Sequence, residues 1–68
     1  MKFTIKDCVV CGFCGDQAAI AQGKEVRLLN VDPDAWKALL DRQHFISDIT
    51  CKMYETGVVY ITGVSPTE

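Results

Sequence analysis

The segment CVVCGFC, residues 8–14, places three cysteines at three-residue spacing in a chain of 68 residues, and a fourth, Cys51, lies far downstream. A domain of this length is close to the lower limit at which a hydrophobic core alone stabilises a fold. Such chains therefore commonly add a metal site, disulfides or a partner subunit. The four cysteines can supply either of the first two.

The composition predicts one globular domain over residues 1–68. The chain is 49% hydrophobic and 24% charged, a balance typical of folded rather than disordered proteins. Its net charge is −2, and acidic and basic residues are interspersed. Nothing in this distribution indicates a nucleic-acid partner.

The N-terminal segment MKFTIKDC predicts a cytoplasmic location. It carries charges at Lys2, Lys6 and Asp7, and no apolar run of signal-peptide or membrane-span length follows. We therefore expect no membrane partner. Because cytoplasmic thiols are kept reduced, clustered cysteines there favour a metal over a disulfide.

The cysteine spacing indicates a metal centre. Three cysteines separated by two residues each, with a distant fourth, give the ligand order of many 4Fe–4S sites, whereas a zinc site more often uses two separated pairs. Metal-free alternatives are buried apolar cysteines or a disulfide within the loop. His44 is expected at the surface rather than among the ligands. The candidate metal ligands, for zinc or a 4Fe–4S cluster, are Cys8, Cys11, Cys14 and Cys51.

The N-terminal half predicts a β-hairpin that carries the cysteine loop. KFTIK, residues 2–6, alternates apolar and polar residues as a half-buried strand does. EVRLLNV, residues 25–31, follows a turn at 22–24 and predicts the second strand. Between them, the small residues at 16–21 either belong to the loop or form a short helical turn.

The segment VDPDAWKALLDRQ predicts an amphipathic helix over residues 33–43. Asp32 suits the N-cap and Pro33 the first helical position. Trp36, Leu39 and Leu40 recur at helical spacing and form an apolar stripe. This stripe is expected to pack on four strand residues: Phe3, Ile5, Val26 and Leu28.

The C-terminal third predicts one further strand. HFISDI, residues 44–49, is expected to be a turn that packs back on the helix, and TGVVYITG predicts a strand over 58–62. The elements together predict a small single-domain α+β fold. Its parts are an N-terminal β-hairpin with a cysteine loop, one amphipathic helix and a C-terminal strand or short helix.

The cysteine loop CVVCGFCGDQAAI resembles the cluster loop of single-cluster bacterial ferredoxins. These carry Cys-x2-Cys-Gly-x-Cys and a distant fourth cysteine. The resemblance implies an electron carrier whose four cysteines hold a 4Fe–4S cluster.

A second resemblance covers most of the chain, through CVVCG, VDPDAWKALLDRQHFISDI and YITGVSPTE in that order. These segments are similar to a set of small phage-encoded proteins with a Cys-x2-Cys-Gly knuckle, a tryptophan-bearing helix and an Ile-(Ser/Thr)-Gly turn. Cys8 and Cys11 match the knuckle, while the positions of a second cysteine pair hold Ser65 and Glu68. The resemblance implies a zinc-type knuckle and a helix, rather than a strand, before the C-terminal turn.

The phage resemblance implies a binding module in the host cytoplasm. Small phage proteins commonly block a host protein, such as a polymerase, a nuclease or a defence complex. We expect no enzyme, because the sequence has no general-base histidine arrangement, paired-carboxylate motif or phosphate-binding loop. The electron carrier is the alternative. Candidate partner contacts lie off the apolar stripe: Lys37, Asp41, Arg42, His44, Tyr54 and Glu55.

Overall fold

The computed structural model describes residues 1–66 and consists mainly of β-strands. The expected position of the second cysteine pair at Glu68 therefore lies outside the described residues. A 3-10 turn, Pro33–Ala35, and one short helix, α1, connect the third and fourth strands. The elements are β1 (Lys2–Cys14), β2 (Gln17–Gln22), β3 (Glu25–Val31), α1 (Trp36–Asp41), β4 (Ile46–Met53) and β5 (Val59–Pro66).

The five strands close into a barrel in the order β1-β2-β3-β5-β4. Strand β3 pairs with β5 in parallel, and the other neighbours are antiparallel. With the helix between β3 and β4, this is the strand order of oligonucleotide- and oligosaccharide-binding (OB) barrels. No helix in the described part of the chain is long and apolar enough to cross a membrane.

Strand β1 is long because its first half pairs with β4 and its second half pairs with β2. Two irregularities in this pairing bend the strand. Its pairing with β4 shifts between Ile5 and Cys8, and its pairing with β2 shifts between Val10 and Gly12. At the first shift, Asp7 has a φ of 53°, and its amide donates to Asp48 Oδ1 at 3.2 Å. Such bulges bend a strand and increase its twist, as a small closed barrel requires.

The predicted α+β fold class is wrong, because the chain is a β-barrel with little helix. The predicted hairpin around a cysteine loop is also wrong. The segment 8–14 is itself the second half of β1, and residues 17–22 form a strand rather than a loop or helical turn. Ala18 and Ile20 point into the barrel from β2. The small side chain of Ala18 leaves room for larger core side chains such as that of Ile20.

The helix predicted over 33–43 is shorter than expected. The Asp32 side chain caps its start as predicted, but α1 ends at Asp41. His44 then adopts a φ of 72°, and its amide donates to the carbonyl of Val10 at 3.0 Å. This bond turns the chain into β4, so the predicted turn at 44–49 is largely the start of a strand.

All three predicted strands are found in the barrel, and the one predicted over residues 2–6 is the first part of β1. The strand predicted over 25–31 is confirmed as β3. The C-terminal element is a strand, as TGVVYITG predicted, although β5 continues to Pro66. The phage resemblance implied a helix in this segment, and that prediction is wrong because the segment is strand β5.

The hydrophobic core lies inside the barrel and is closed at one end by the helix. Ala35 and Leu39 are buried there, whereas Trp36 is half-buried and Leu40 is exposed, contrary to the predicted stripe. Val26 and Leu28 are exposed as well, because they point outward from β3. The largest fully buried side chains include Val10, Ile20, Leu39, Ile49 and Ile61.

Candidate functional site

The barrel divides the four predicted metal ligands into two pairs. Cys8 and Cys51 are fully buried among the core side chains, while Cys11 and Cys14 are exposed. Cys11 lies at the β1–β2 bulge, where its Sγ is 3.4 Å from the carbonyl oxygen of Ala19. Cys14 ends β1. All four are free thiols.

The two buried thiols are held in their protonated form. The Cys8 Sγ lies 3.4 Å from the carbonyl oxygen of Ile5 and 3.3 Å from that of Ser47. Burial raises the pKa of the Cys8 thiol, because a thiolate loses its solvation there. Burial likewise raises the pKa of Cys51 to about 11, and repulsion from Cys8 adds to the shift. Both residues have the surroundings of core cysteines.

Residues 1–66 contain no assembled set of donors for the predicted metal site. No three His, Cys, Asp or Glu side chains in this range come together in a way that could hold an ion. A four-thiolate zinc or 4Fe–4S site requires all of its ligands at one point. The arrangement of the cysteines does not fit such a centre, and a bound metal stays a prediction for metal analysis.

Four of the predicted partner contacts lie on or after the helix. Lys37 and Asp41 are exposed on α1, and His44 is exposed in the following turn. Arg42 has a structural role, because its Nε donates to Ser47 Oγ at 3.1 Å and its guanidinium also donates to the carbonyl of Ile46 at 2.9 Å.

The other two predicted contacts, Tyr54 and Glu55, are exposed in the β4–β5 loop. The ring of Tyr54 meets that of Tyr60 edge to face, with the centroids 5.4 Å apart. The ammonium of Lys52 lies 5.0 Å from the Tyr54 centroid, within cation–π range. Tyr54 is thus the predicted contact that belongs to a larger aromatic feature.

That feature, the aromatic groove, consists of two adjoining depressions on either side of Pro33 and Tyr60. Their volumes are about 420 Å³ and about 410 Å³. The first is lined by Asp32, Pro33, Tyr54, Thr56, Val58 and Tyr60. The second is lined by Asp16, Asn30, Val31, Pro33, Trp36 and Tyr60.

Backbone hydrogen bonds fix the acidic positions of the groove. The carbonyl of Asp16, in the β1–β2 turn, accepts from the Val31 amide at 3.2 Å. The amide of Asp32 donates to the carbonyl of Ile61 at 2.9 Å, and its Oδ1 accepts from the Asp34 amide at 3.1 Å. Gly15 provides the left-handed backbone, with φ 61°, on which the β1–β2 turn depends.

Aromatic rings form the walls of the groove. Trp36 packs against Phe13 from β1, with the ring centroids 5.3 Å apart and the planes tilted by 45°. Tyr60 stands between the two depressions because β5 joins β3 at Asn30 and Val31. The site therefore combines π-faces with two carboxylates, and none of the described residues that line it is a lysine or an arginine.

The sequence pattern does not identify most of these residues as site residues. Trp36 was predicted as core, and Asp32 only as a helix cap. Asp16 and Tyr60 were not assigned a site role. The available signal was the position of aromatic and acidic residues at the ends of apolar segments, where loops place functional side chains. Their convergence depends on barrel closure, which no local pattern reveals.

No protein-family model, curated protein sequence or solved structure matches the chain. In OB barrels, ligands bind on the β2–β3 face and between the β1–β2 and β4–β5 loops. The aromatic groove lies between those two loops. Because one architecture serves many functions, the chemistry of the groove has to decide which ligand fits.

Proposed function

We propose that this chain is a non-enzymatic binding module whose aromatic groove holds a lysine- or arginine-containing segment of a partner protein. The observation that carries the proposal is the pairing of Asp16 and Asp32 with the rings of Trp36, Tyr54 and Tyr60. Carboxylates and aromatic faces both attract cations, and they favour planar guanidinium groups in particular.

The charge of the groove argues against a nucleic-acid strand as its ligand. Binding to nucleic acid depends on lysine and arginine side chains that neutralise phosphates, even where bases stack on aromatic rings. Within the described residues, the groove lining offers carboxylates instead of such cations. The ammonium of Lys52 is already engaged with the ring of Tyr54.

We infer the class of partner from the resemblance to small phage-encoded proteins. On that basis the partner is a host protein in the host cytoplasm, such as a polymerase, a nuclease or a defence complex, whose action the module blocks. A groove of this size accepts one or two side chains of an extended segment. Binding energy usually concentrates in a few such anchors.

Nuclear magnetic resonance (NMR) titration tests the ligand class. We expect a short arginine-rich peptide to shift the amide signals of Asp16, Asp32 and Tyr60 in a saturable way. A glutamate-rich peptide of equal length serves as the control, and oligo(dT) tests the nucleic-acid alternative. Saturable shifts with oligo(dT) but none with the arginine peptide would overturn the proposal.

Charge-neutral variants test the two carboxylates without changing the shape of the site. Asp32→Asn keeps an oxygen for the helix cap, and Asp16→Asn changes an exposed turn residue. Each is expected to weaken binding of the arginine peptide about 5- to 10-fold, the effect of about 1 kcal/mol. Asp41→Asn, which removes the same charge from α1 outside the groove, is the matched control. Equal weakening by all three variants would indicate a general charge effect.

A further inference from the structure

One edge of strand β3 is unpaired over most of its length. β3 runs from Glu25 to Val31, but its parallel pairing with β5 covers only Asn30 and Val31. On the other edge, β3 pairs with β2 over six consecutive positions without a register shift. Residues 25–29 therefore have a strand neighbour on one side only within the described part of the chain. We call their unpaired side the free edge.

The backbone groups of Val26 and Leu28 point toward the free edge. The amide of Val31 donates to the carbonyl of Asp16, directly before β2, whereas the next amide, that of Asp32, donates to β5. Successive residues of a strand direct their backbone groups to opposite edges, and the β2–β3 pairing is regular. Odd-numbered residues of β3 therefore face β2, and the N–H and C=O groups of Val26 and Leu28 face the free edge.

The free edge is poorly protected against pairing with a further strand. The side chains of Val26 and Leu28 are 65% and 53% exposed. The strand has no proline and no bulge against β2, and its two charged side chains, Glu25 and Arg27, form an ion pair with each other at 3.2 Å. A regular, apolar edge of this kind is a template for another strand.

The free edge leads into the aromatic groove. Asn30 and Tyr60, the pair at which β3 meets β5, both line the groove. Asn30 lies two residues beyond Leu28 and therefore on the same face of β3. Val58, which also lines the groove, directly precedes β5, where the pairing with β3 has ended. A segment paired with the free edge therefore ends beside the groove.

We propose that the free edge of β3 binds the partner segment as an added β-strand, and that the same segment places its lysine or arginine side chain in the aromatic groove. This inference rests on the proposed function and defines the conformation of its ligand. In such complexes, backbone hydrogen bonds supply affinity and the side-chain pockets supply specificity. Here Val26 and Leu28 make the backbone bonds, and the carboxylates and rings of the groove select the cation.

The added strand also defines a sequence pattern for the ligand. Side chains that lie beside Val26 and Leu28 on the outer face recur at every second position of the segment. Apolar and β-branched residues suit these positions, because cross-strand neighbours pack against each other. The cation follows on the same face at the groove end. A palindromic probe, acetylated and amidated Arg-Thr-Val-Thr-Val-Thr-Arg, meets this pattern in either strand direction.

Amide hydrogen exchange followed by NMR tests the position of the added strand. In the free chain, the amides of Val26 and Leu28 should exchange rapidly, whereas those of Arg27 and Leu29, which face β2, should exchange slowly. At roughly 90% saturation with the probe, exchange at Val26 and Leu28 should slow about tenfold, because only the unbound chain then exchanges. Arg27 and Leu29 are the internal controls and should not change.

N-methylation of the probe tests the backbone pairing without any change to the protein. In an added strand, alternate amides face β3 and the remaining amides face solvent. Methylating one alternate set, either the valine or the threonine amides, should therefore abolish binding, and methylating the other set should leave it intact. The sensitive set identifies the direction of the strand.

A pair of variants at Val26 tests the same bonds from the side of the protein. Val26→Pro removes the amide at the free edge, a position that an edge strand tolerates because its bonds to β2 are kept. Val26→Ala, the matched control, shortens the side chain and keeps the amide. Val26→Pro should weaken probe binding about 5- to 10-fold relative to Val26→Ala, with the NMR spectrum confirming that both are folded.

Three outcomes would overturn the inference, and they separate it from the proposed function. Saturable shifts at Asp16, Asp32 and Tyr60 without slower exchange at Val26 and Leu28, or with equal tolerance of both methylated probes, would leave groove binding in place and exclude the added strand. No saturable binding of the probe or of the arginine-rich peptide would overturn both proposals. Slow exchange at the free edge that depends on chain concentration, without probe, would assign the edge to a second copy.

Discussion

At the scale of single residues, the alternation of side chains along a strand explains why the cysteines separate. Successive side chains of a strand point to opposite faces. A separation of three residues therefore places Cys8 inside the barrel and Cys11 outside, where the bulge holds it. The same spacing in a metal-binding loop turns both sulfurs inward. Local spacing alone cannot distinguish the two arrangements.

The buried Cys51 predicts a loss of stability at high pH. Burial raises its pKa to about 11 in the folded chain, above the ordinary thiol value of 9.0. From about pH 9 upward the unfolded chain releases a proton that the folded chain keeps, so stability falls as pH rises. Below about pH 9 the contribution of the protonated Cys51 thiol to stability is fully present. By about pH 10.5 the loss should be about 2 kcal/mol.

Denaturant unfolding of wild type and Cys51→Ala, with reductant at about pH 7 and about pH 10.5, measures this effect. The wild type should lose about 2 kcal/mol more than the variant over that interval. Every other ionisable group is present in both proteins, so the comparison isolates Cys51 together with its repulsion from Cys8. A difference between the two proteins that does not change with pH would contradict the assignment.

At the scale of elements, the helix closes one end of the barrel and does not form a separate layer of the fold. Six residues of α1 give fewer than two turns, and such a helix is stable only when packed on other structure. Its contribution to the core is concentrated in Leu39, which is fully buried, whereas the neighbouring Leu40 is exposed. The two leucines therefore form an internal comparison.

Alanine substitution of the two leucines should give very different results. Leu39→Ala creates a cavity at the barrel end and should lower the free energy of unfolding by about 2–5 kcal/mol. Leu40→Ala removes an exposed side chain and should change it by about 0.5 kcal/mol or less. Thermal or urea unfolding of both variants checks the comparison. Equal losses would show that the helix packs differently.

At the scale of the whole molecule, barrel closure determines which residues meet. Strand β3 reaches β5 through only two paired positions, Asn30 with Tyr60 and Val31 with Ile61. This short parallel contact brings the β1–β2 turn, the helix cap and the β4–β5 loop to one place. The aromatic groove therefore forms only when the barrel closes, because its lining residues come from several separate segments.

Barrel closure also predicts which thiols react in the native protein. Cys11 and Cys14 should be alkylated by iodoacetamide, while Cys8 and Cys51 should react only after unfolding. Mass spectrometry of chain purified without oxygen counts the modified sites, and elemental analysis measures zinc and iron in the same sample. Protection of all four thiols together with a stoichiometric metal would instead support the metal centre.

The sequence by itself determined the elements that depend on neighbouring residues. The β-branched and apolar run at 25–31 is strand β3, Asp32 caps the turn before the helix, and the C-terminal run is strand β5. Each of these follows from local backbone preference or from a hydrogen bond between residues close in sequence.

Only the tertiary structure decided where the cysteines, the helix end and the groove lie. The bond from His44 to Val10 ends the helical segment, and the bulges in β1 set which thiols enter the core. The two carboxylates of the groove come from separate turns. All of these depend on strand register and barrel closure, which join residues far apart in the chain, and a local pattern carries no information about such pairings.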